Sequence, residues 1–279
     1  MTKLFILIGI LMLLIAGCST STGPTKTVVQ PPSNVQVTVD AIYDGNSFAI
    51  VFWDASKSES NHNFNGYQVN TYQLASNDSN KIVLKFNGSF LTGQTHNCYL
   101  SSIQRDVIYK SYVAAVFSDG SKSDSVPTNV FAGIYYNNDG VIDQDANGDT
   151  TFKSGYGWDI NSGAGHRYSF VRKNAANIDI YCMDENGLKF YSPNMYLTGG
   201  KITFFGVVGT GSQAFDQTNL SEPQDSSISI SVDNVYLIKT EEGNYIKLWV
   251  SRFDNIADIS EVVFDYKVQP VSGLRIVKK

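Results

Sequence analysis

The sequence predicts an all-β protein that contains a β-sandwich followed by a second antiparallel β domain. Short runs that alternate between apolar and polar residues recur along the chain, and turns rich in Gly, Asn, Asp and Ser separate them. This pattern is typical of antiparallel strands. The 16 Tyr and 16 Phe among 279 residues favour the same fold class, because aromatic residues are enriched in strands.

The first residues have the composition of a secretory signal. Lys3 precedes an apolar run over residues 4–14, and Ile15-Ala16-Gly17-Cys18 ends it. A run of about a dozen residues is shorter than the roughly 20 that a membrane span needs, so we expect cleavage. Ile-Ala-Gly-Cys resembles the lipobox of bacterial lipoproteins. The resemblance implies cleavage before Cys18 and its acylation, with palmitate among the acyl chains. An ordinary secretory signal with a nearby cysteine is the alternative.

The predicted organisation therefore has four parts. A signal peptide covers residues 1–17, and a flexible tether rich in Ser, Thr and Pro covers residues 18–32. The sandwich covers residues 33–132 and the second β domain residues 133–279. We expect the cell envelope as the location, with the lipid in a membrane, most readily at the outer membrane or cell surface.

Charge and motifs narrow the class of function. The net charge is -5 and no run of Lys or Arg forms a basic patch, so nucleic acid is not an expected partner. The sequence has no His-Glu-x-x-His, Gly-x-Ser-x-Gly or phosphate-binding Gly-x-x-x-x-Gly-Lys. A binding protein is favoured over an enzyme. A glycan-acting enzyme stays open because carboxylate pairs are plentiful.

The remaining two cysteines, Cys98 and Cys182, fall in different predicted domains. We expect two separate buried thiols. A disulfide between them would have to cross the domain interface, and no histidine spacing marks either as catalytic.

The predicted sandwich resembles fibronectin type III domains over its whole length. Its seven expected strands are residues 34–40, 47–53, 66–73, 81–86, 96–100, 107–117 and 123–131. The resemblance rests on Pro31-Pro32 before the first strand, Trp53 at the end of the second and Tyr109 at the start of the sixth. It implies that Trp53 is the core tryptophan and that the Tyr109 hydroxyl bonds back to the chain. Such domains are mostly spacers or adhesion modules.

An acidic loop follows the sandwich. Asp143, Asp145, Asn147 and Asp149 are spaced two apart, and Gly148 sits at position 6 of an EF-hand-type pattern. Position 12, where a bidentate Glu belongs, is Ser154. The spacing predicts a structural calcium ion if another carboxylate completes the set; an acidic turn exposed to solvent is the alternative.

The second domain resembles HmuY-type lipoproteins in scattered pieces. The pieces are the hairpin over residues 235–251, the strand over 261–269, and Gly157-Trp158-Asp159-Ile160 followed by residues 178–181. Members that act as haemophores hold haem iron between two side chains, often His. This domain has one histidine, His166, so the resemblance leaves His166 with Met183 as a haem-ligand option. Met195 is a further axial candidate, and a loop histidine with a core methionine is the alternative.

These observations predict a membrane-anchored binding or adhesion lipoprotein, in which the first domain spaces the second from the membrane. A glycan, peptide or protein ligand would suit exposed aromatics, for which the candidates are Tyr135, Tyr136, Tyr156 and Trp158. A carrier of haem or another small molecule is the alternative.

Overall fold

The structure, a computed structural model, describes residues 28–42, 45–76, 78–216, 220–256 and 258–275. The signal segment and Cys18 lie outside the described residues. The described part of the chain is nearly all-β and forms two antiparallel sandwiches, as the sequence predicts. No helix in the described ranges is long and apolar enough to cross a bilayer.

The first sandwich has the fibronectin type III arrangement of a three-stranded and a four-stranded sheet, ordered β1-β2-β5 and β4-β3-β6-β7. Its strands are β1 Ser33–Ala41, β2 Ser47–Asp54, β3 Phe64–Ala75, β4 Asp78–Thr92, β5 Asn97–Ile103, β6 Tyr109–Phe117 and β7 Val126–Pro127. Trp53 and Tyr109 are both buried in the shared core, as expected. The Tyr109 hydroxyl accepts the Gln104 N–H at 3.3 Å, which confirms the predicted bond back to the chain.

The two poles of the first sandwich meet different parts of the chain. At one pole the backbone of Gln30 bonds to Ser56 and Ser58, beside the end of β2. At the other, Ser47 at the start of β2 bonds to Ile134, just before the second sandwich. A strand of nine residues such as β1 spans about 30 Å, so the sandwich separates the N-terminal segment from the second domain by roughly that distance.

The second sandwich packs two five-stranded sheets, ordered β13-β15-β16-β17-β8 and β10-β9-β11-β12-β14. Its strands are β8 Tyr135–Asp143, β9 Gly155–Trp158, β10 Gly165–Tyr168, β11 Ile180–Asp184, β12 Leu188–Tyr191, β13 Phe204–Thr210, β14 Ser227–Ser229, β15 Asn234–Lys239, β16 Tyr245–Ile256 and β17 Ile259–Gln269. Aromatic and aliphatic side chains from both inner faces form one core.

The structure differs from the sequence expectations at two places in this half. The glycines over residues 206–211 predict a turn, but residues 206–210 belong to β13, and a short helix, α1 (Gly211–Asp216), follows and packs on the outer face of the first of these sheets. The sequence over residues 273–277 predicts a last short strand, but residues 273–275 are not in a strand, and residues 276 and 277 lie outside the described part of the chain. Both segments are too short for a periodic pattern to identify them.

Candidate functional site

The segment that joins the two sandwiches is buried. Phe131, Ala132 and Ile134 are fully shielded from solvent, and Ile134 belongs to the core of the first sandwich. A Cβ on Gly133 would lie only 2.7 Å from the Ile103 carbonyl oxygen, so this close approach needs a glycine. Linkers between independently moving domains are exposed, and the burial of this one indicates a fixed joint.

Two side chains of the first sandwich fasten this segment. The buried Ser47 hydroxyl donates to the Ile134 carbonyl at 2.6 Å and accepts the Ile134 N–H at 2.9 Å. Arg105 Nε donates to the same carbonyl at 3.0 Å, and its Nη2 donates to the Gly45 carbonyl. The guanidinium also lies 4.3 Å from the centre of the Tyr135 ring. Arg105 thus connects a loop of its own sandwich, the linker and the first residue of β8.

A second set of contacts, next to those of Arg105, also holds the two sandwiches together. The nearly buried ammonium of Lys267 pairs with Asp40 of the first sandwich at 3.1 Å and with Asp216 of α1 at 2.8 Å. Lys247 lies directly opposite Lys267 on the neighbouring strand and donates to the Phe215 carbonyl at 2.8 Å. Burial, with the like charge of Lys267 as a further cause, lowers the pKa of Lys247 to about 7.

An open cleft of about 830 Å³ lies between the sandwiches at this joint. Ligand sites occur preferentially between domains, and this volume is in their usual range. The first sandwich contributes the turn before β2 and the loop after β5. The second contributes β8, the β9–β10 loop and the residues after β17. The lining residues with exposed polar side chains are Asn46, Ser102, Gln104, Asp106 and Asn161.

The chemistry of the cleft suits binding. Its lining offers three carboxamides, the exposed Ser102 hydroxyl, one carboxylate and one guanidinium, while the Ser47 and Tyr135 hydroxyls already donate to backbone carbonyls. The arrangement can therefore hold a polar ligand by hydrogen bonds.

The predicted calcium ligands lie in the loop after β8, and the first of them is engaged elsewhere. Asp143 is nearly buried. Its carboxylate accepts the Lys153 N–H at 2.6 Å and pairs with the Arg167 guanidinium. This ion pair fastens the loop to β10.

The other candidate ligands form local turns. Asp145 accepts the Gly148 N–H at 3.2 Å, and Asp149 accepts the Thr151 N–H at 2.8 Å. Asn147 adopts a φ of 54° at the tip. In the described ranges no group of three or more His, Cys, Asp or Glu is placed to hold a metal ion. Calcium binding by this loop stays a prediction.

The structure does not bring His166 and Met183 together. Both point to the outer face of the same sheet, with His166 opposite Gly157 and Met183 opposite Lys189. By the strand register, Met183 lies two strands across the sheet from His166 and four residues further along. At ordinary strand spacings their Cα atoms are therefore on the order of 16 Å apart. The two side chains are too far apart for one iron. His166 is exposed in β10 and Met183 is half-buried.

Both described cysteines are free and buried, as expected. Burial raises the pKa of the Cys98 thiol. Burial also raises the pKa of the fully enclosed Cys182 thiol, and nearby carboxylates raise it further. Neither has the lowered pKa or the exposure that marks a reactive cysteine.

The predicted ligand-binding aromatics have other roles. Tyr156 and Trp158 belong to the core of the second sandwich, while Tyr135 and Tyr136 are half-buried at the joint. Sequence reasoning missed a different cluster on the outer face of the second sheet. There Phe170 stacks on Tyr181 at 3.6 Å between ring centres, and the hydroxyls of Tyr191 and Tyr196 share Glu185. These residues have no common spacing that could have revealed the cluster.

No protein-family model and no curated protein matches the chain. Among solved structures, it is similar to the third fibronectin III domain of human KIAA0343 protein. That match has 22% identity, covers 42% of this chain and 93% of that chain, and has a TM-score of 0.31. A structure described as a myokine has 22% identity, coverages of 38% and 98%, and a TM-score of 0.27. The twitchin kinase region from C. elegans has 11% identity, coverages of 86% and 40%, and a TM-score of 0.28. The strand order and core of the first sandwich, described above, carry its assignment to the fibronectin type III fold.

Proposed function

We propose that the protein is a lipid-anchored binding protein of the bacterial cell envelope, in which the first sandwich is a stiff spacer. A fibronectin type III fold is typical of a spacer or binding module. In this proposal the lipid on Cys18 holds one end, residues 19–32 give reach, and the second sandwich is presented to a ligand outside the membrane. The sequence of the hairpin over residues 235–251 leads us to propose an HmuY-type fold for the second sandwich.

One observation supports the spacer role most directly. The N-terminal segment and the second sandwich leave opposite poles of the first sandwich, and the linker to the second sandwich is buried. A module whose two connections lay at the same pole would add little height. A buried linker also transmits orientation, because it cannot swivel without exposing Phe131 and Ile134 to water.

The anchor is tested by labelling. We expect the full-length gene in a Gram-negative host to give a membrane-bound product that incorporates an alkyne analogue of palmitate. Cys18→Ser should lose the label and leave the membrane fraction, because several acyl chains together give the stable anchor. Cys98→Ala is the matched control, since it removes a buried cysteine that carries no lipid, and it should keep the label. Label that persists in Cys18→Ser, or an unlabelled soluble wild type, would overturn the anchor.

A further inference from the structure

The joint cleft presents hydrogen-bonding groups that nothing in the described part of the chain uses. The carboxamides of Asn46, Gln104 and Asn161 are exposed to the cleft, and their side chains make no hydrogen bond to another described residue. Asn46 and Gln104 belong to the first sandwich and Asn161 to the second. A ligand in the cleft can therefore contact both sandwiches at once.

The charge of the cleft is balanced. Arg105 is the cation of the lining, and it is already committed to two carbonyls and the Tyr135 ring. Asp106 is adjacent and carries the opposite charge. Because one guanidinium and one carboxylate line the cleft, its lining has no excess charge that would favour an anionic or a cationic ligand, and the hydrogen bonds it offers suit a neutral polar ligand.

A buried donor lies behind one wall of the cleft. The Gln269 side chain is fully shielded, and its Oε1 accepts the Val271 N–H at 3.0 Å. Its Nε2 has no partner among the described residues. Buried polar groups are ordinarily paired, so this unsatisfied donor behind the lining residue Val271 points to an ordered water at this position.

We propose that the joint cleft binds a neutral oligosaccharide. Sugar hydroxyls both donate and accept hydrogen bonds, and a carboxamide offers both functions on one side chain. Ile160 and Val271 supply an apolar wall for the C–H face of a sugar ring. A peptide added as an extra strand is disfavoured, because the lining comes mostly from loops and strand ends rather than from an open strand edge.

This inference goes beyond the anchored spacer and does not depend on it. The test uses the purified full chain in detergent on a printed array of neutral and acidic oligosaccharides, followed by calorimetric titration with the best neutral binder. Gln104→Ala and Asn161→Ala should each weaken the Kd by about tenfold, the equivalent of one or two net hydrogen bonds. The double variant should weaken the Kd by about a hundredfold. Gln213→Ala, which removes an exposed carboxamide from α1, is the control and should bind like the wild type.

Each outcome decides the proposal. A double variant that binds as tightly as the wild type would place the ligand elsewhere and overturn the site. Binding to acidic glycans alone, or to none of the neutral ones, would overturn the ligand class. The three substituted side chains are exposed, so unchanged melting temperatures should show that any loss is not unfolding. If Cys18→Ser binds the oligosaccharide as tightly as the wild type, binding at this site does not depend on the lipid anchor.

Discussion

Replacement of Arg105 by alanine should loosen the joint between the sandwiches while leaving each sandwich folded. The guanidinium touches three separate segments: the Gly45 carbonyl, the Ile134 carbonyl and the Tyr135 ring. Alanine removes all three contacts. It disturbs neither core, because the Arg105 side chain lies at the edge of the open cleft.

The expected cost follows from those contacts. A hydrogen bond from a charged donor contributes about 1.5–3 kcal/mol, and a partly exposed cation–π contact about 0.5–1 kcal/mol. Water in the cleft can replace the donor at Gly45, and Ile134 keeps its bond from Ser47. We therefore expect Arg105→Ala to destabilise the docked arrangement relative to the undocked one by about 2–3 kcal/mol, the low end of these contributions. That is roughly a 30- to 150-fold change in the ratio of docked to undocked molecules.

Nitrogen-15 relaxation measures this directly. In the wild type, amides of both sandwiches should report one rotational correlation time, because the two tumble together. In Arg105→Ala the two sandwiches should tumble faster and with different correlation times. Small-angle scattering should show a broader distribution of distances.

Arg252→Ala is the matched control. Arg252 is an exposed arginine whose ion-pair partner in the described part of the chain is Asp254 on its own strand, and such surface pairs contribute little. If Arg105→Ala tumbles like the wild type and like this control, Arg105 does not fasten the joint. The reasoning from its three contacts would then be refuted.

The remaining predictions concern a buried lysine and the acidic loop. The folded pKa of Lys247 lies near 7 against an ordinary 10.5, so between these values the unfolded state binds a proton that the folded state lacks. Stability should therefore rise from pH 7.5 to 9.5 in chemical denaturation, and Lys247→Met should show a smaller rise; equal slopes would contradict the burial argument. If the loop after β8 binds calcium, the melting temperature should be higher in calcium than in chelator for the wild type but not for Asp145→Asn. Identical melting temperatures in the wild type would rule calcium out.

Much of the first sandwich could be predicted from its sequence, because several of its strands alternate between buried and more exposed residues. In β2 every second residue from Ser47 to Trp53 is buried, so the alternation is visible in the sequence. The last strand was predicted too long, since only Val126–Pro127 pairs regularly, and Phe131 adds an isolated bridge to Tyr109. The proline and the buried linker interrupt the ladder.

The joint and its cleft could not be predicted in the same way. Arg105, Tyr135, Asn161 and Val271 are distant in sequence, and no local period relates them. Arg105 reads as an ordinary loop arginine until the fold places it beside Ile134. Gly133 gave the one local signal, because a glycine between Ala132 and Ile134 indicates a close backbone approach, but its partner strand could not be inferred. The outer-face cluster around Tyr181 was hidden for the same reason.

The joint and the cleft are energetically linked through the same residues. A ligand that bridges Gln104 and Asn161 can make both contacts only when the sandwiches are docked, so its binding must favour the docked arrangement. Conversely, the apparent affinity falls in proportion to the docked fraction of the free protein. Arg105, with its hydrogen bonds committed to the joint, would then affect affinity by positioning the two walls. In the proposed function, a stiff joint would therefore orient the second sandwich and would also keep the cleft formed before any ligand arrives.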